Sequence, residues 1–236
     1  MVTFETKVYE RDWRLIMRDD YLARMITRCN YSFARRVLFI NNLGDVDAVS
    51  RQARLLVSAR IIDAYYIVDE YASSALSFFG LTKEQFGTGY YYSIQELVGI
   101  YLCETPYLLH FSGDARMADG TSGQWISDAI DLFNADPTVL VANPIWNNNH
   151  REVRRESRWE NNRFYKGFGF SDQCYLMPVS AFRQQIYGCA HPASQRYPIR
   201  AGELFEKRVD AYLRTHQKYR ATAKGASYVH PALVLE

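Results

Sequence analysis

The stretch VLFINNLGDVDAVSRQARLLVSARI, residues 37–61, decides the predicted fold. Its first four residues form a short apolar run, which predicts a buried strand, and turn-forming residues concentrate in the next five, 41–45. From Val46 onward apolar residues recur at helical spacing, and Asp45 or Asp47 is placed to cap that helix. The stretch therefore predicts a strand, a loop and a helix in this order.

The same order of elements recurs from residue 1 to about residue 145. Further strands are predicted at residues 2–8, 64–68, 107–111 and 138–142, and further helices at residues 22–29, 94–102 and 125–133. Two parallel neighbours in a sheet need a crossover connection, which the intervening helices would supply. The alternation predicts an α/β doubly wound core, in which helices cover both faces of a mainly parallel sheet.

The pattern changes after residue 145. Residues 147–160 interleave basic and acidic side chains, which predicts a mobile, solvated loop or a frayed helix. A further strand is expected at residues 174–179 and a further helix at residues 203–215. We expect one domain over residues 1–236, with a second half over residues 146–236.

The composition excludes several classes of protein. Of the 236 residues 48% are apolar, which is ample for a packed interior, and 28 basic against 26 acidic residues indicate no nucleic-acid partner. The aromatic content of 15% favours a strand-rich core, with flat binding surfaces as the alternative. The four cysteines are dispersed, so we expect neither a zinc knuckle nor a disulfide framework.

No apolar run reaches the roughly 18 residues of a membrane span, so we expect a soluble, cytoplasmic protein that at most touches a membrane from outside.

The residues that follow each predicted strand are candidates for chemistry, because ligands of open α/β sheets bind beyond the carboxyl ends of the strands. The most specific segment is HFSGDAR, residues 110–116. Here a buried strand delivers the Asp114 carboxylate into a turn opened by Gly113, and Arg116 follows two residues later. Such a carboxylate can hold a divalent cation, to which a diphosphate supplies further oxygen ligands.

These strand-end residues, taken in order over nearly the whole chain, resemble the nucleotide-sugar domain of GT-A glycosyltransferases, especially the family 2 type. Residues 39–45 (FINNLGD) occupy the place of the family's V-D-D-G-S-x-D stretch. Ser112-Gly113-Asp114 stands at the D-x-D place, with the first acid missing. The resemblance implies a GT-A-type, Rossmann-like three-layer sandwich with a mainly parallel central sheet.

The resemblance also implies which residues bind the donor. Those expected to contact the nucleoside or its phosphates are Thr6, Tyr9, Arg11, Asn41, Asn42, Ser112, Asp114 and Arg116. A divalent cation, Mn²⁺ or Mg²⁺, would be held by Asp114 and by His230, since many GT-A enzymes complete the metal shell with a histidine near the carboxyl end. The first acid of D-x-D is replaced by Ser112, which could only assist in metal binding.

In the family, the second half of the domain binds the acceptor and supplies the catalytic base and the sugar-binding surface. The segment AGELFEKR, residues 201–208, is similar to the family's G-E-D-x-x-L-x-x-R element, whose acid is the base. Its Asp is absent here, so Glu203 and Glu206 compete for this role, with Asp172 as a third candidate. Four aromatic side chains would either stack on sugar rings or close the core: Trp146, Trp159, Tyr165 and Phe168.

The resemblance implies an inverting, metal-dependent glycosyltransferase that moves a sugar from a nucleotide-sugar donor to a hydroxyl of a glycan or glycolipid acceptor. Bacterial surface polysaccharide assembly at the inner face of the membrane is the commonest setting of such proteins. Two alternatives stay open at this point: a non-catalytic glycan-binding relative, suggested by the missing acid, and a nucleotidyltransferase.

Overall fold

A computed structural model describes residues 1–197 and 202–230 of the chain. The strands are β1 (Val2–Val8), β2 (Arg35–Ile40), β3 (Ala64–Ile67), β4 (Tyr107–Phe111), β5 (Arg116–Met117), β6 (Val139–Trp146), β7 (Ser157–Glu160), β8 (Phe164–Gly167), β9 (Cys174–Pro178) and β10 (Tyr219–Val229). The helices are α1 (Trp13–Ile16), α2 (Tyr21–Thr27), α3 (Val46–Ser58), α4 (Val68–Phe79), α5 (Tyr90–Leu102), α6 (Gln124–Ala135), α7 (His150–Glu156), α8 (Val179–Phe182) and α9 (Phe205–Thr215).

The described strands form a sheet in the order β3-β2-β1-β4-β9-β6-β10-β8-β7, with β5 paired to the carboxyl-terminal end of β10. β1 is parallel to both β2 and β4, and β2 is parallel to β3. β9 is antiparallel to both β4 and β6, and β10 is parallel to β6, so β1 to β4, β6 and β10 all point the same way. The chain leaves β1 toward β2 on one side and returns to β4 on the other, which creates a crevice at the carboxyl ends of these strands.

The elements predicted from residues 37–61 are confirmed. β2 ends at Ile40 and α3 begins at Val46. Asp45 caps the helix, because its carboxylate accepts a hydrogen bond from the backbone N–H of Ala48 at 2.9 Å. The apolar stripe of α3 is buried in the same core cluster as Leu38 and Ile40, so the predicted packing of this helix on the sheet is also confirmed.

Several parts of the chain differ from the predictions, among them β10, which no predicted element covers, and α9, which begins at Phe205 instead of residue 203. The strand at residues 64–68 ends one residue early, because Val68 begins α4, a helix that we did not predict. Asp69 and Glu70 lie in the first turn of α4, where acidic side chains stabilise the positive helix end. Residues 147–160, expected as a loop or a frayed helix, contain the capped helix α7 and the strand β7.

Aromatic residues pack on both faces of the sheet. The Phe4 and Phe111 rings stack on one face with centroids 6.0 Å apart, and the His110 and Tyr175 rings stack on the other at 4.7 Å. This packing confirms the core interpretation for most of the aromatic content.

The four aromatic residues expected to bind sugars or close the core divide equally. Tyr165 and Phe168 are buried, whereas Trp146 and Trp159 expose 42% and 40% of their surfaces.

Helices long and apolar enough to cross a membrane do not occur in the described ranges.

Candidate functional site

A cavity of about 240 Å³ lies where β1, β2 and β4 end, and we call it the strand-end cavity. Residues from these three strand ends line it: Lys7, Tyr9, Asn41, Asn42, Ser112, Gly113 and Asp114. Asp12, Tyr91, Tyr92, Asp172, Gln173 and His230 complete its lining. The structure thus brings seven of the predicted site residues together: Tyr9, Asn41, Asn42, Ser112, Asp114, Asp172 and His230.

Asp114 and His230 form an ion pair at this cavity. Asp114 Oδ2 lies 2.8 Å from His230 Nε2, and the Ser112 hydroxyl donates a hydrogen bond to Asp114 Oδ1 at 3.0 Å. Burial raises the pKa of Asp114, but the hydrogen bonds from His230 and Ser112 and the His230 charge outweigh it and keep the pKa below its usual value. The hydrogen bond to Asp114 raises the pKa of His230. Each partner therefore favours the charged form of the other.

Gly113 has a steric reason to be glycine. A Cβ at this position would collide with the Ile16 side chain and with the backbone carbonyl of Lys7. The turn after β4 can therefore pass close to β1 only without a side chain, and this close approach carries Asp114 to the cavity wall.

The Asp114–His230 pair offers a carboxylate oxygen and an imidazole nitrogen, two donor types that divalent transition metals bind. The two atoms are 2.8 Å apart, near the spacing of about 3 Å between neighbouring ligands of one ion at bond lengths of about 2.1 Å. Within residues 1–197 and 202–230, no group of three or more His, Cys, Asp and Glu side chains is arranged for a metal. The pair thus offers two of the ligands that a divalent cation would need.

Lys7 connects the strand-end cavity to a buried cluster of ionisable residues that we did not predict. Its ammonium contacts the Glu96 carboxylate, and the charges of Glu96 and Asp172 raise the pKa of Lys7 although burial lowers it. In the same cluster, Glu5 Oε1 lies 2.9 Å from His110 Nδ1. Burial raises the pKa of Glu5 far above its usual value and lowers the pKa of His110 far below its usual value, so burial favours the neutral form of both groups.

The three candidate bases occupy different environments. Asp172 lines the strand-end cavity. Burial and the neighbouring Asp172 charge raise the pKa of Glu206 to about 9, so its side chain carries a proton at neutral pH. Glu203 is about half exposed and forms an ion pair with Lys207 at 2.6 Å. Glu203 and Glu206 do not belong to the lining of the strand-end cavity.

A second cavity, of about 400 Å³, adjoins the strand-end cavity at Gln173, which lines both. We call it the carboxyl-half cavity, because its lining comes from residues 143–228. The exposed ring of Trp146 forms part of its wall. Glu156 accepts hydrogen bonds from Arg196 at 2.7 Å and from Arg220 at 3.0 Å, which fixes both guanidiniums in the same wall.

Three other predicted residues do not line the strand-end cavity. Thr6 is fully buried within β1, and its hydroxyl has no hydrogen-bond partner in the described parts of the chain. Arg11 is exposed and lies outside the lining. Arg116 lines a different cavity, because β5 turns it away to pair with the end of β10.

Comparison with known proteins gives matches in structure and none in sequence: no family model and no curated protein matches this chain. Mouse xyloside xylosyltransferase 1 in its apo form is 12% identical over 93% of this chain and 84% of that chain, with a TM-score of 0.49. GalNAc-T7, solved with UDP, GalNAc and Mn²⁺, is 8% identical over 98% of this chain, with a TM-score of 0.58. This chain spans only 43% of the GalNAc-T7 chain.

The fold is of the GT-A type. This confirms the predicted fold class, including the mainly parallel direction of the central strands. The narrower resemblance to family 2 stays a prediction, because no family model matches.

Proposed function

We propose that this protein transfers a sugar from a nucleoside-diphosphate donor to a hydroxyl of a glycan or glycolipid acceptor. The observation that carries the proposal is that the strand-end cavity and the carboxyl-half cavity share a lining residue, Gln173. Transfer between two substrates requires two sites that meet at the reacting atoms. The strand-end cavity would hold the donor, and the carboxyl-half cavity would hold the acceptor.

The nucleoside would bind at the loop after β2. Asn41 Oδ1 is buried at the strand-end cavity without a hydrogen-bond partner among the described residues, so a hydroxyl or amine of the nucleoside would satisfy it. The side-chain amide of Asn42 donates to the Tyr91 carbonyl at 2.8 Å, which leaves its side-chain oxygen for the ligand. The rings of Tyr91 and Tyr92 are 40% and 55% exposed and offer faces on which a base can stack.

The diphosphate would lie between Asp114, His230 and Lys7. Asp114 and His230 would hold a divalent cation, Mn²⁺ or Mg²⁺, which when bound supplies positive charge to the departing diphosphate. Lys7 directs one N–H to Glu96 and has further donors for a phosphate oxygen.

Asp172 is the base in this proposal. It lines the strand-end cavity next to Gln173, where the acceptor cavity opens, so its carboxylate can take the proton of an incoming hydroxyl. Glu206 already carries a proton at neutral pH, since its pKa is raised to about 9, and Glu203 is held by Lys207. A positioned base contributes on the order of 10² to 10⁴ in rate. Attack by the activated hydroxyl opposite the leaving diphosphate inverts the anomeric carbon.

The acceptor sugar would stack on the exposed ring of Trp146 in the carboxyl-half cavity. Around this ring, amide and hydroxyl groups of Asn143, Asn149 and Thr222 line the wall and suit the hydroxyls of a sugar. Arg196 and Arg220 face two acidic side chains, Glu152 and Glu156, in the same lining, so its charges balance. This arrangement favours an uncharged sugar at the acceptor end.

The proposal is tested by incubating the protein with a panel of nucleotide sugars, a glycan mixture and Mn²⁺ or Mg²⁺, and by measuring nucleoside-diphosphate release. Asp114→Ala is compared with Asp131→Ala, a matched control at an exposed position of α6. We expect release by the wild type and the control, and a rate at least about 100-fold lower in Asp114→Ala. Unchanged release in Asp114→Ala would remove Asp114 from the site. Glycan binding by the wild type without nucleotide binding, measured by calorimetry, would replace the transferase with the glycan-binding alternative.

A further inference from the structure

Three arginines from two separate elements line a cavity of about 230 Å³, which we call the arginine cavity. Arg24 lies in α2, Arg28 follows the end of that helix, and Arg116 begins β5. Tyr21 and Met25 complete the lining, so it contains three positive side chains and no acidic one. Among the described residues, none lines both this cavity and the strand-end cavity.

Nearby carboxylates compensate the three guanidiniums unequally. Arg24 pairs with Asp20 at 2.9 Å and Arg28 with Asp119 at 2.8 Å, but these acids are 61% and 82% exposed. Ion pairs with such exposed partners are weak and are easily exchanged for another anion. The described lining places no acidic residue beside Arg116, although the charges of Asp114 and Asp12 reach the neighbouring Tyr21 hydroxyl from outside this cavity. The Arg24 and Arg28 side chains are 63% and 32% exposed. The lining therefore presents positive charge whose carboxylate partners are exposed and exchangeable.

Tyr21 adds a buried polar group to this cavity. Its hydroxyl is buried at the cavity wall. Burial raises the pKa of Tyr21, whereas the charge of Arg116 and a hydrogen bond with its guanidinium lower it. A guanidinium can only donate, so the proton of the Tyr21 hydroxyl is left to donate to a ligand.

We propose that the arginine cavity binds a phosphate group that belongs to a ligand other than the nucleotide donor. The planar fork of each guanidinium matches two phosphate oxygens, and the Tyr21 hydroxyl can donate to a third. The volume of about 230 Å³ admits a phosphate with a small attached group. This site also explains why Arg116, which we expected at the donor diphosphate, points into a cavity of its own. The inference does not depend on the proposed transfer reaction.

The first test is titration of the protein with inorganic phosphate by calorimetry, with EDTA present so that no cation recruits phosphate to the strand-end cavity. Arg116→Ala and Arg28→Ala should each weaken binding about tenfold or more, because each removes a charge-assisted contact. Arg18→Ala is the matched control, since Arg18 is 71% exposed, pairs with Asp19 and lies outside the cavity. Arg116→Lys keeps the charge and loses the fork, so we expect intermediate affinity. Thermal unfolding of each variant verifies that the fold is retained.

The second test separates two sources of phosphate. Vesicles of phosphatidylcholine with phosphatidic acid are compared with vesicles of phosphatidylcholine alone in sedimentation, again for the wild type, Arg116→Ala and Arg18→Ala. Binding of phosphatidic-acid vesicles that is lost in Arg116→Ala identifies a lipid headgroup, whereas Arg116-dependent binding of soluble phosphate alone identifies a soluble phosphate ester. The proposal is overturned if neither probe binds, or if both bind Arg116→Ala and Arg28→Ala as tightly as the wild type.

Discussion

Two carboxyl–histidine pairs in this protein have nearly equal geometry and opposite pKa shifts. Asp114 Oδ2 lies 2.8 Å from His230 Nε2, and Glu5 Oε1 lies 2.9 Å from His110 Nδ1. In the first pair the hydrogen bond between the partners helps to lower the pKa of Asp114 and raises that of His230, which favours the charged form of both side chains. In the second pair burial raises the pKa of Glu5 and lowers that of His110, which favours the neutral form of both side chains.

The solvent exposure of the side chains accounts for the opposite pKa shifts of the two pairs. The Asp114 and His230 side chains are 26% and 28% exposed at the strand-end cavity, whereas those of Glu5 and His110 are 1% and 0% exposed. Glu5 and His110 also face each other in the register of β1 and β4. In the proposed function the exposed pair would separate to bind a cation or a phosphate, whereas the buried pair joins two central strands.

The largest effect is expected from truncating the buried pair. Glu5→Ala leaves a cavity and leaves His110 without its partner, which should cost about 3–5 kcal/mol in the free energy of unfolding. Glu5→Gln keeps the shape and the neutral hydrogen bond and should cost less than about 1.5 kcal/mol. Urea unfolding of both variants measures the difference. Equal losses in the two variants would mean that Glu5 is ionised, and the contrast between the pairs would fail.

The exposed pair should show the reverse balance between activity and stability. Asp114→Asn removes the charge at the cavity and should lower kcat/KM for donor turnover about 100-fold or more, equivalent to about 2.7 kcal/mol. The free energy of unfolding should change by less than about 1 kcal/mol, because the pair is partly exposed. Activity assays and urea unfolding of the same sample measure both quantities. A stability loss as large as that of Glu5→Ala would assign Asp114 a structural role.

The pH dependence of stability provides a second test of the buried pair. The pKa of Glu5 is raised in the folded state, so its contribution is fully present below the unfolded value near 4.5 and is lost as the pH rises toward the folded value. Glu5→Gln cannot ionise and should therefore gain stability relative to the wild type above pH 4.5, with a slope of at most about 1.4 kcal/mol per pH unit. Urea unfolding at several pH values between 4 and 8 measures this slope. A constant difference between the two proteins would show that the pKa of Glu5 is not raised.

The smallest effect is expected at Ser112. Ser112→Ala removes the hydrogen bond that its hydroxyl donates to Asp114 Oδ1 at 3.0 Å. The loss of one such bond should lower kcat/KM by up to about tenfold, with little change in stability. Steady-state kinetics of Ser112→Ala and Asp114→Asn, each compared with the wild type, measures the loss of kcat/KM in both variants. An effect as large as that of Asp114→Asn would make Ser112 a ligand in its own right.

The strand-end residues of the cavity could be predicted because they depend on local pattern. A short apolar run followed by turn formers places Asn41, Asn42 and Asp114 at the carboxyl ends of their strands, and the parallel sheet then brings these ends together. Asp172 and His230 came from the family resemblance, since no local spacing links them to Asp114. The structure brings both residues to the same cavity.

Other parts of the molecule could not be predicted because tertiary contacts determine them. Lys7 and Glu96 are polar residues in apolar surroundings, and only the packing of α5 on the sheet shows that they pair. Arg116 follows Asp114 closely, yet the short strand β5 directs it into another cavity. β10 was missed, because small residues such as Ala221 and Ala223 give its buried segment no strong apolar alternation.

A crystal structure with a nucleoside diphosphate and Mn²⁺ tests the central claim most directly, with UDP, GDP and ADP soaked in separate crystals. We predict that one of them occupies the strand-end cavity, with its phosphates joined through the cation to Asp114 and His230 and its nucleoside against Asn41. A nucleotide bound elsewhere, with the direct contact of 2.8 Å between Asp114 and His230 unchanged, would contradict the assignment of this cavity to the donor.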